Sequence, residues 1–242
     1  MPTELLIRQI ETVSSLTAEA RRAISRLPLR MRVVEERRDI VREGQKSSEC
    51  CLVLSGLVCR YKIVSGGRRQ ILSLHFAGDM PDLDSIVLDC ADHSIATLSP
   101  ATIAYIPHEA LRQLASENPT AAKAVARQAM IDSSIFREWI ANVGRRTAIE
   151  RVAHLICECF TRMRALGLAN ETSFNLKMTQ TEIGDATGLS NVHVNRTIRT
   201  LQRDAILCVK GKSHQILDWR GLQERGDFDP GHLHLLPLKL AG

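Results

Sequence analysis

Asn191, Val192, Asn195, Arg196 and Arg199 recur along one side of a short segment, while Val194, Ile198 and Leu201 fall at i, i+4 and i+7 on the other. A carboxamide both donates and accepts, and a guanidinium presents a planar fork of donors. Such groups suit the edges of base pairs and the oxygens of a phosphate backbone. They can do this only from one rigid surface, so the three apolar residues must form a buried stripe on a helix.

The flanking residues supply that helix and its support. Thr179-Gln180-Thr181-Glu182 has the form of a capping box and predicts a helix start. Ile183 and Ala186 give this first helix an apolar face, and Gly188 can take the positive φ that stops it. Leu189 can pack across the turn, and Ser190 is a good N-cap for the second helix. Beyond it, Val209-Lys210-Gly211-Lys212-Ser213 reads as a hairpin turn, a two-stranded wing. The pattern is a helix-turn-helix with a wing, a device for laying one helix in the major groove of double-stranded DNA. Asn191, Val192, Asn195 and Arg196 are the expected base readers, and Ser190, Arg199, Lys210 and Lys212 the expected phosphate contacts.

The charge distribution agrees. The chain has 242 residues, with 32 Lys and Arg against 27 Asp and Glu, a formal charge of +5. Residues 145–225 hold 13 basic and 8 acidic residues, which is already +5, so the remainder (19 against 19) is neutral. The excess positive charge sits where a polyanion would bind. No apolar run reaches ~18 residues, so no membrane span is expected. The N-terminus lacks the basic and apolar regions of a signal peptide, and a cytoplasmic protein follows. The seven cysteines include no C-x2-C pair, and Cys157-x-Cys159 sits in a helical pattern that points the two thiols to different sides. No metal site is expected from them.

Upstream, residues 4–26 read as one or two short helices. Short β-rich pieces follow at 31–34, 39–42, 51–54, 58–64, 70–76, 95–98 and 102–106, separated by glycine-bearing turns. Many short strands at regular spacing imply a sandwich or barrel. A helix resumes at Pro107-His108 and breaks at Asn118-Pro119; a long one then runs from about Thr120 to Val143. Its Ala122, Val125, Ala129, Phe136, Ile140 and Val143 recur at three- and four-residue steps, a seam for a second copy of the same helix or for the helix's own domain. Asp132 and Ser133 interrupt this seam and could fix its register, and Gly144-Arg145-Arg146 is the expected hinge. The expected organisation is a β sensor domain over 1–118, a dimerisation helix over 119–144, a winged helix-turn-helix over 145–220 and a tail over 221–242. In the tail, Leu233, Leu235, Leu236 and Leu238 are apolar enough to dock on a surface.

An α+β chain made of a jelly-roll β domain like those that bind cyclic nucleotides, a long dimer helix and a C-terminal winged helix-turn-helix resembles the Crp/Fnr family of bacterial transcription regulators. The resemblance rests on Val53-Leu54-Ser55-Gly56-Leu57-Val58, Phe76-Ala77-Gly78-Asp79-Met80 and Leu189-Ser190-Asn191-Val192-His193-Val194-Asn195-Arg196. The run from Gly144 to Leu155 and the His-Val-Asn-Arg core look like a group of that family common in α-proteobacteria. It implies a homodimer on a palindromic operator, with half-sites one turn apart. Arg196 matches the family's guanine-reading arginine; Val192 stands where many members carry a cytosine-binding glutamate, and it can pack only on a thymine methyl.

The sensor half departs further from the family pattern. Gly78-Asp79 begins the ribose-binding region, but Asp89-Cys90-Ala91-Asp92-His93-Ser94-Ile95 lacks the phosphate-binding arginine. The expected effector pocket is Gly78, Asp79, His93 and Ser94, with cAMP not bound in the usual way and the effector unidentified. Residues 1–49 contain no cysteine, so no iron–sulfur cluster is expected.

Other residues carry less. Cys50, Cys51 and Cys59 could form a redox-sensing thiol group, strand alternation sending one of the first two inward. Cys208 on the wing is a redox candidate or a buried residue. His75 and His93 are haem or metal ligands, or plain structural histidines; His232-x-His234 can bind a metal resin and have no further role. Arg68 and Arg69 form a basic hairpin tip, a solvated turn or a contact to RNA polymerase. No nucleophile–base pair or phosphate loop points to an enzyme. The alternatives to a DNA-binding regulator are a ligand-binding module acting through a protein partner and a thiol redox sensor.

Overall fold

The computed structural model describes residues 2–237; Leu238 of the apolar tail lies outside the described residues. The described residues divide into two compact units, residues 2–62 with 73–133 and 236–237, and residues 63–72 with 134–235.

The first unit begins with helices α1 (Thr3–Glu11) and α2 (Ala18–Ser25). Seven strands follow: β1 (Arg30–Val34), β2 (Asp39–Val41), β3 (Glu49–Ser55), β4 (Val58–Val64), β5 (Arg68–His75), β6 (Ser94–Thr97) and β7 (Ala101–Pro107). Each lies within two residues of its expected bounds, because the turn residues between them punctuate the chain strongly. They form two sheets, ordered β1-β7-β3 and β2-β6-β4-β5. A 3-10 turn (Leu83–Ile86) bridges β5 and β6, and α3 (His108–Glu117) follows β7.

Strand β3 is buried on both faces. Cys51 and Val53 enter a cluster with Val34, Val58, Ile95 and Ile103. Cys50 and Leu52 face a second cluster built from Ile7, Ile10, Ile24 and Leu111 of the helices. This two-sided burial explains the unbroken apolar run of β3. It also corrects the expectation that only one of Cys50 and Cys51 points inward. Both are buried, and Cys59 with them. Burial first, then the nearby Asp82 carboxylate, pushes the Cys50 and Cys51 thiols up. They stay protonated and unreactive.

Helix α4 (Pro119–Arg145) runs without a break through Gly144. The break comes at Arg146-Thr147, at the last residue of the expected hinge Gly144-Arg145-Arg146 rather than at its glycine, because Thr147 and Glu150 cap the next helix. Arg146 is also held, its guanidinium 2.7 Å from Glu138 and 3.1 Å from Asp227. Of the expected seam, Val125 packs on the core of the first unit. Ala122, Ala129, Phe136 and Val143 are half-buried and Ile140 is 69% exposed. The outward residues Ala126, Met130, Ser133, Arg137, Ile140 and Gly144 follow alternating steps of four and three, and Met130 is 66% exposed. Asp132 pairs with buried Arg60 of β4 at 3.2 Å, and the Ser133 hydroxyl donates to the Ala129 carbonyl. Asp132 is therefore engaged within its own unit.

The second unit is built on α5 (Ala148–Ala165), followed by β8 (Ser173–Asn175), α6 (Gln180–Thr187), α7 (Asn191–Arg203), β9 (Leu207–Lys210), β10 (Ser213–Ile216) and α8 (Trp219–Gly226). The small sheet has the order β8-β10-β9, so the wing carries a third strand that its sequence pattern does not reveal. Helix α8 crosses the expected boundary at residue 220, and a 3-10 turn (Pro230–Leu233) follows it. Both Cys157 and Cys159 are buried, because α5 is covered on all sides from Val152 to Phe160. Two residues apart on the helix, the thiols point to different sides as expected, and both sides are covered. Among the described residues, no helix is long and apolar enough to cross a membrane.

Gly184 in α6 allows the two helices to approach: a Cβ there would lie 2.5 Å from the Leu189 carbonyl oxygen. The obstacle is backbone, which cannot swing aside. Replacing Gly184 with Ala is expected to destabilise this unit by about 1–3 kcal/mol, measured as a lower urea midpoint; an unchanged midpoint would contradict the close packing. Thiol labelling of the native protein should modify Cys90 fast, since it alone among the seven cysteines is exposed, and half-buried Cys208 more slowly. The other five should react only on unfolding; rapid labelling of Cys50 or Cys51 would reopen a redox role.

Candidate nucleic-acid interface

Three local devices aim α7. Thr179 Oγ1 accepts from the Glu182 amide at 3.2 Å, and Glu182 Oε2 accepts from the Thr179 amide at 2.7 Å, which fixes the start of α6. Gly188 ends α6 with φ of 68°. Ser190 caps α7 by accepting from the His193 amide, and its hydroxyl is also 3.0 Å from His193 Nδ1. Each follows from the residue types at those positions.

Val194, Thr197, Ile198 and Leu201 are buried. This turns Asn191, Val192, His193, Arg196 and Arg199 to the outside, all of them exposed. Val192 is 78% exposed, an apolar side chain held in water at the start of the helix. Asn195 is half-buried and its amide donates to Gln180 Oε1 at 3.1 Å. Asn195 therefore joins α7 to the first turn of α6. The structure groups four of the expected residues, Asn191, Val192, Arg196 and Arg199, on one open surface. Ser190 stands at its edge as the cap. Lys210 and Lys212 are exposed at the wing turn, where Gly211 takes φ of 62°. His193 and Gln180 belong to the same neighbourhood and were missed by sequence reasoning. The signal for His193 was its position one residue after Val192; Gln180 became visible only through its contact.

Electrostatically, α7 holds no acidic residue. The acids around it are engaged: Asp204 with Arg203 and Arg225, Asp185 with Arg69 at 2.8 Å, Glu182 in its cap. The surface of α7 therefore presents guanidinium groups to solvent, the arrangement that attracts phosphate.

The residues expected to line an effector pocket fall in two places. Gly78 and Asp79 pack beneath α1, where a Cβ on Gly78 would lie 2.5 Å from the Leu5 carbonyl oxygen. Asp79 accepts from the Phe76 amide, and His75 is taken up by Ser73 at 2.8 Å. His93 instead lines a cavity with Asp82, Asp84, Asp89 and Ser85, its Nδ1 2.6 Å from Asp92. Burial pushes the Asp82 carboxyl up to about 7 against the opposing Cys51 amide hydrogen bond. Ser94 accepts from the Glu43 amide.

Comparison with known proteins agrees with this architecture. Residues 150–225 match the Crp-like helix-turn-helix domain and residues 31–118 the cyclic nucleotide-binding domain. A protein of Rhizobium leguminosarum named "Probable transcriptional activator" is 30% identical over 196 residues, covering 81% of this chain and 80% of its own. The fumarate and nitrate reduction regulatory protein of Vibrio cholerae is 27% identical over 195 residues, covering 81% and 78%. Among solved structures, FixK2 from Bradyrhizobium japonicum superposes with a TM-score of 0.76 at 24% identity, over 82% of this chain and 98% of its own. The exposed basic recognition helix, the β-sandwich and these likenesses together show that the chain belongs to the Crp/Fnr family and is a DNA-binding transcription regulator.

Proposed function

We propose that this regulator binds a palindromic operator as a homodimer, with one α7 in each of two successive major grooves. The observation that carries the reading is the outward face of α7, where Arg196 stands exposed beside Asn191 and Val192. Arg196 reads guanine through O6 and N7, worth about 1–3 kcal/mol of discrimination. Asn191 reads an adjacent base edge, and Val192 packs on a thymine methyl. Asn195 acts from its bond to Gln180, holding α7 in register with α6. Ser190, Arg199, Lys210 and Lys212 hold backbone phosphate, which gives affinity and salt dependence without sequence preference.

The dimer seam is the outward stripe of α4. Met130 and Ile140 are its apolar centres, with Ala122, Ala129, Phe136 and Val143 flanking it and Val125 turned to its own unit. RNA polymerase is met through the β4–β5 hairpin tip by exposed Arg68, since Arg69 is engaged with Asp185. The effector is not a cyclic nucleotide in the family's usual mode. The cavity beside His93 is lined by Asp82, Asp84 and Asp89, and a buried phosphate there would face carboxylates without an arginine. DNA-binding regulation is a cytoplasmic activity.

Selection of purified full-length protein against a random duplex library tests this reading. The wild type should enrich a palindrome with guanines at matched half-site positions. Ile140→Glu, which puts a charge in the seam, should lose the two-fold pattern and bind at least tenfold more weakly. Enrichment of single half-sites by the wild type, or no enrichment, would contradict it.

A further inference from the structure

The second unit contains a buried cluster that DNA binding does not use. His154 and Glu158 lie four residues apart on α5, hence on one helical face. His232 reaches them from the 3-10 turn Pro230–Leu233, which Asp229 caps by accepting from the Gly231 amide at 2.8 Å. His232 lies beyond residues 150–225, the segment matched to the helix-turn-helix domain.

The two imidazoles are oriented in the same way. His154 Nδ1 donates to the Gly226 carbonyl at 3.0 Å, and His232 Nδ1 donates to the Asp229 carbonyl at 2.8 Å. Each bond fixes the tautomer and leaves Nε2 with a lone pair. Both Nε2 atoms are buried with no hydrogen-bond partner. The His154 and His232 rings stack 5.8 Å apart at 23°, with the Phe228 ring set edge-on against each. Glu158 Oε2 lies 3.8 Å from His232 Nε2, and its side chain is 1% exposed. Trp139 Nε1 and Arg162 donate to this carboxylate and hold it in place. One ligand atom from each of His154, Glu158 and His232 lies within 4.8 Å of the others.

A single proton shared between His232 and Glu158 satisfies one nitrogen and leaves the other bare. A divalent ion accepts all three lone pairs at once. Imidazole nitrogens whose other N–H is bound to a backbone carbonyl are the usual form of metal-binding histidines, and two nitrogens with one carboxylate suit zinc.

We propose that His154, Glu158 and His232 form a zinc site that fastens the segment after α8 to α5. Ligand atoms about 2.0–2.2 Å from one ion stand roughly 3.3 Å apart, so small side-chain rotations close the site. Glu138, with Oε1 3.6 Å from His154 Nε2, or a water completes four-coordination. This site is not legible in the sequence: His232 and His234 read as a tail pair, and His154 is far from both in the chain.

Full-length protein, stripped by a chelator, is given one equivalent of zinc, freed of excess by gel filtration and assayed by atomic emission. One zinc per chain is expected in the wild type and in His234→Ala, with loss in His232→Gln. Cobalt(II) loading should give the d–d bands of a tetrahedral nitrogen–oxygen site without a thiolate charge-transfer band. Substoichiometric zinc in the wild type, zinc retained by His232→Gln, or a thiolate band would overturn the site. The wild-type stoichiometry and cobalt spectrum need no variant, so the test holds even where His232→Gln fails to fold.

Discussion

The second unit depends on α5 being buried on every side. From Val152 to Phe160 each residue is inaccessible, including His154 and Glu158. A helix in that position is a floor, and α6, α7 and α8 are laid on it. Because α5 is covered all round, its polar residues must find partners within the protein. Glu158 meets Trp139 and Arg162, and His154 meets Gly226. Those bonds fix where α8 and the following turn can lie. The apolar stripe of α7 then has one place to go, and the opposite face, with Arg196 and Arg199, is left in water. Base recognition by a few side chains requires this rigidity, since a helix free to roll would lose the bidentate geometry of its arginine.

A different constraint governs the first unit. Strand β3 must be covered twice, by the partner sheet on one side and by α1, α2 and α3 on the other. The glycine at 78 permits α1 to lie close to the chain after β5, and a side chain there would meet the Leu5 carbonyl. A small cavity lined by Leu6, Gln9 and Ile10 of α1 with Gly78 and Asp79 remains there. The cavity beside His93 is carboxylate-rich, so its chemistry favours groups that donate hydrogen bonds or carry positive charge.

Much of this was legible in local sequence signals. The Thr179–Glu182 capping box, Gly188 and Ser190 specify their conformations through bonds to near neighbours, and the glycine turns delimit the seven strands. Features set by distant contacts were not legible. Strand β8 pairs with β10 about forty residues away along the chain. Gly144 reads as a hinge by its type, yet the capping pair Thr147–Glu150 sets the break later. Asn195 reads as a base contact, yet its amide is bonded to Gln180. Met130 falls outside the apolar series Ala122 to Val143, and its exposure beside Ile140 shows only in the folded helix. The union of His154 with His232 depends on how α8 turns the chain back, which no periodicity encodes.

The central claim is that Arg196 reads a specific guanine from the rigid face of α7. A double-mutant cycle tests it most directly, combining Arg196→Ala with replacement of that guanine in the selected operator and following affinity at fixed salt. Each single change should weaken binding by about 1–3 kcal/mol, and the double change should cost little more than either alone, since both remove one contact. Additive losses would show that Arg196 and the guanine act independently, and would contradict the account of how this helix recognises DNA.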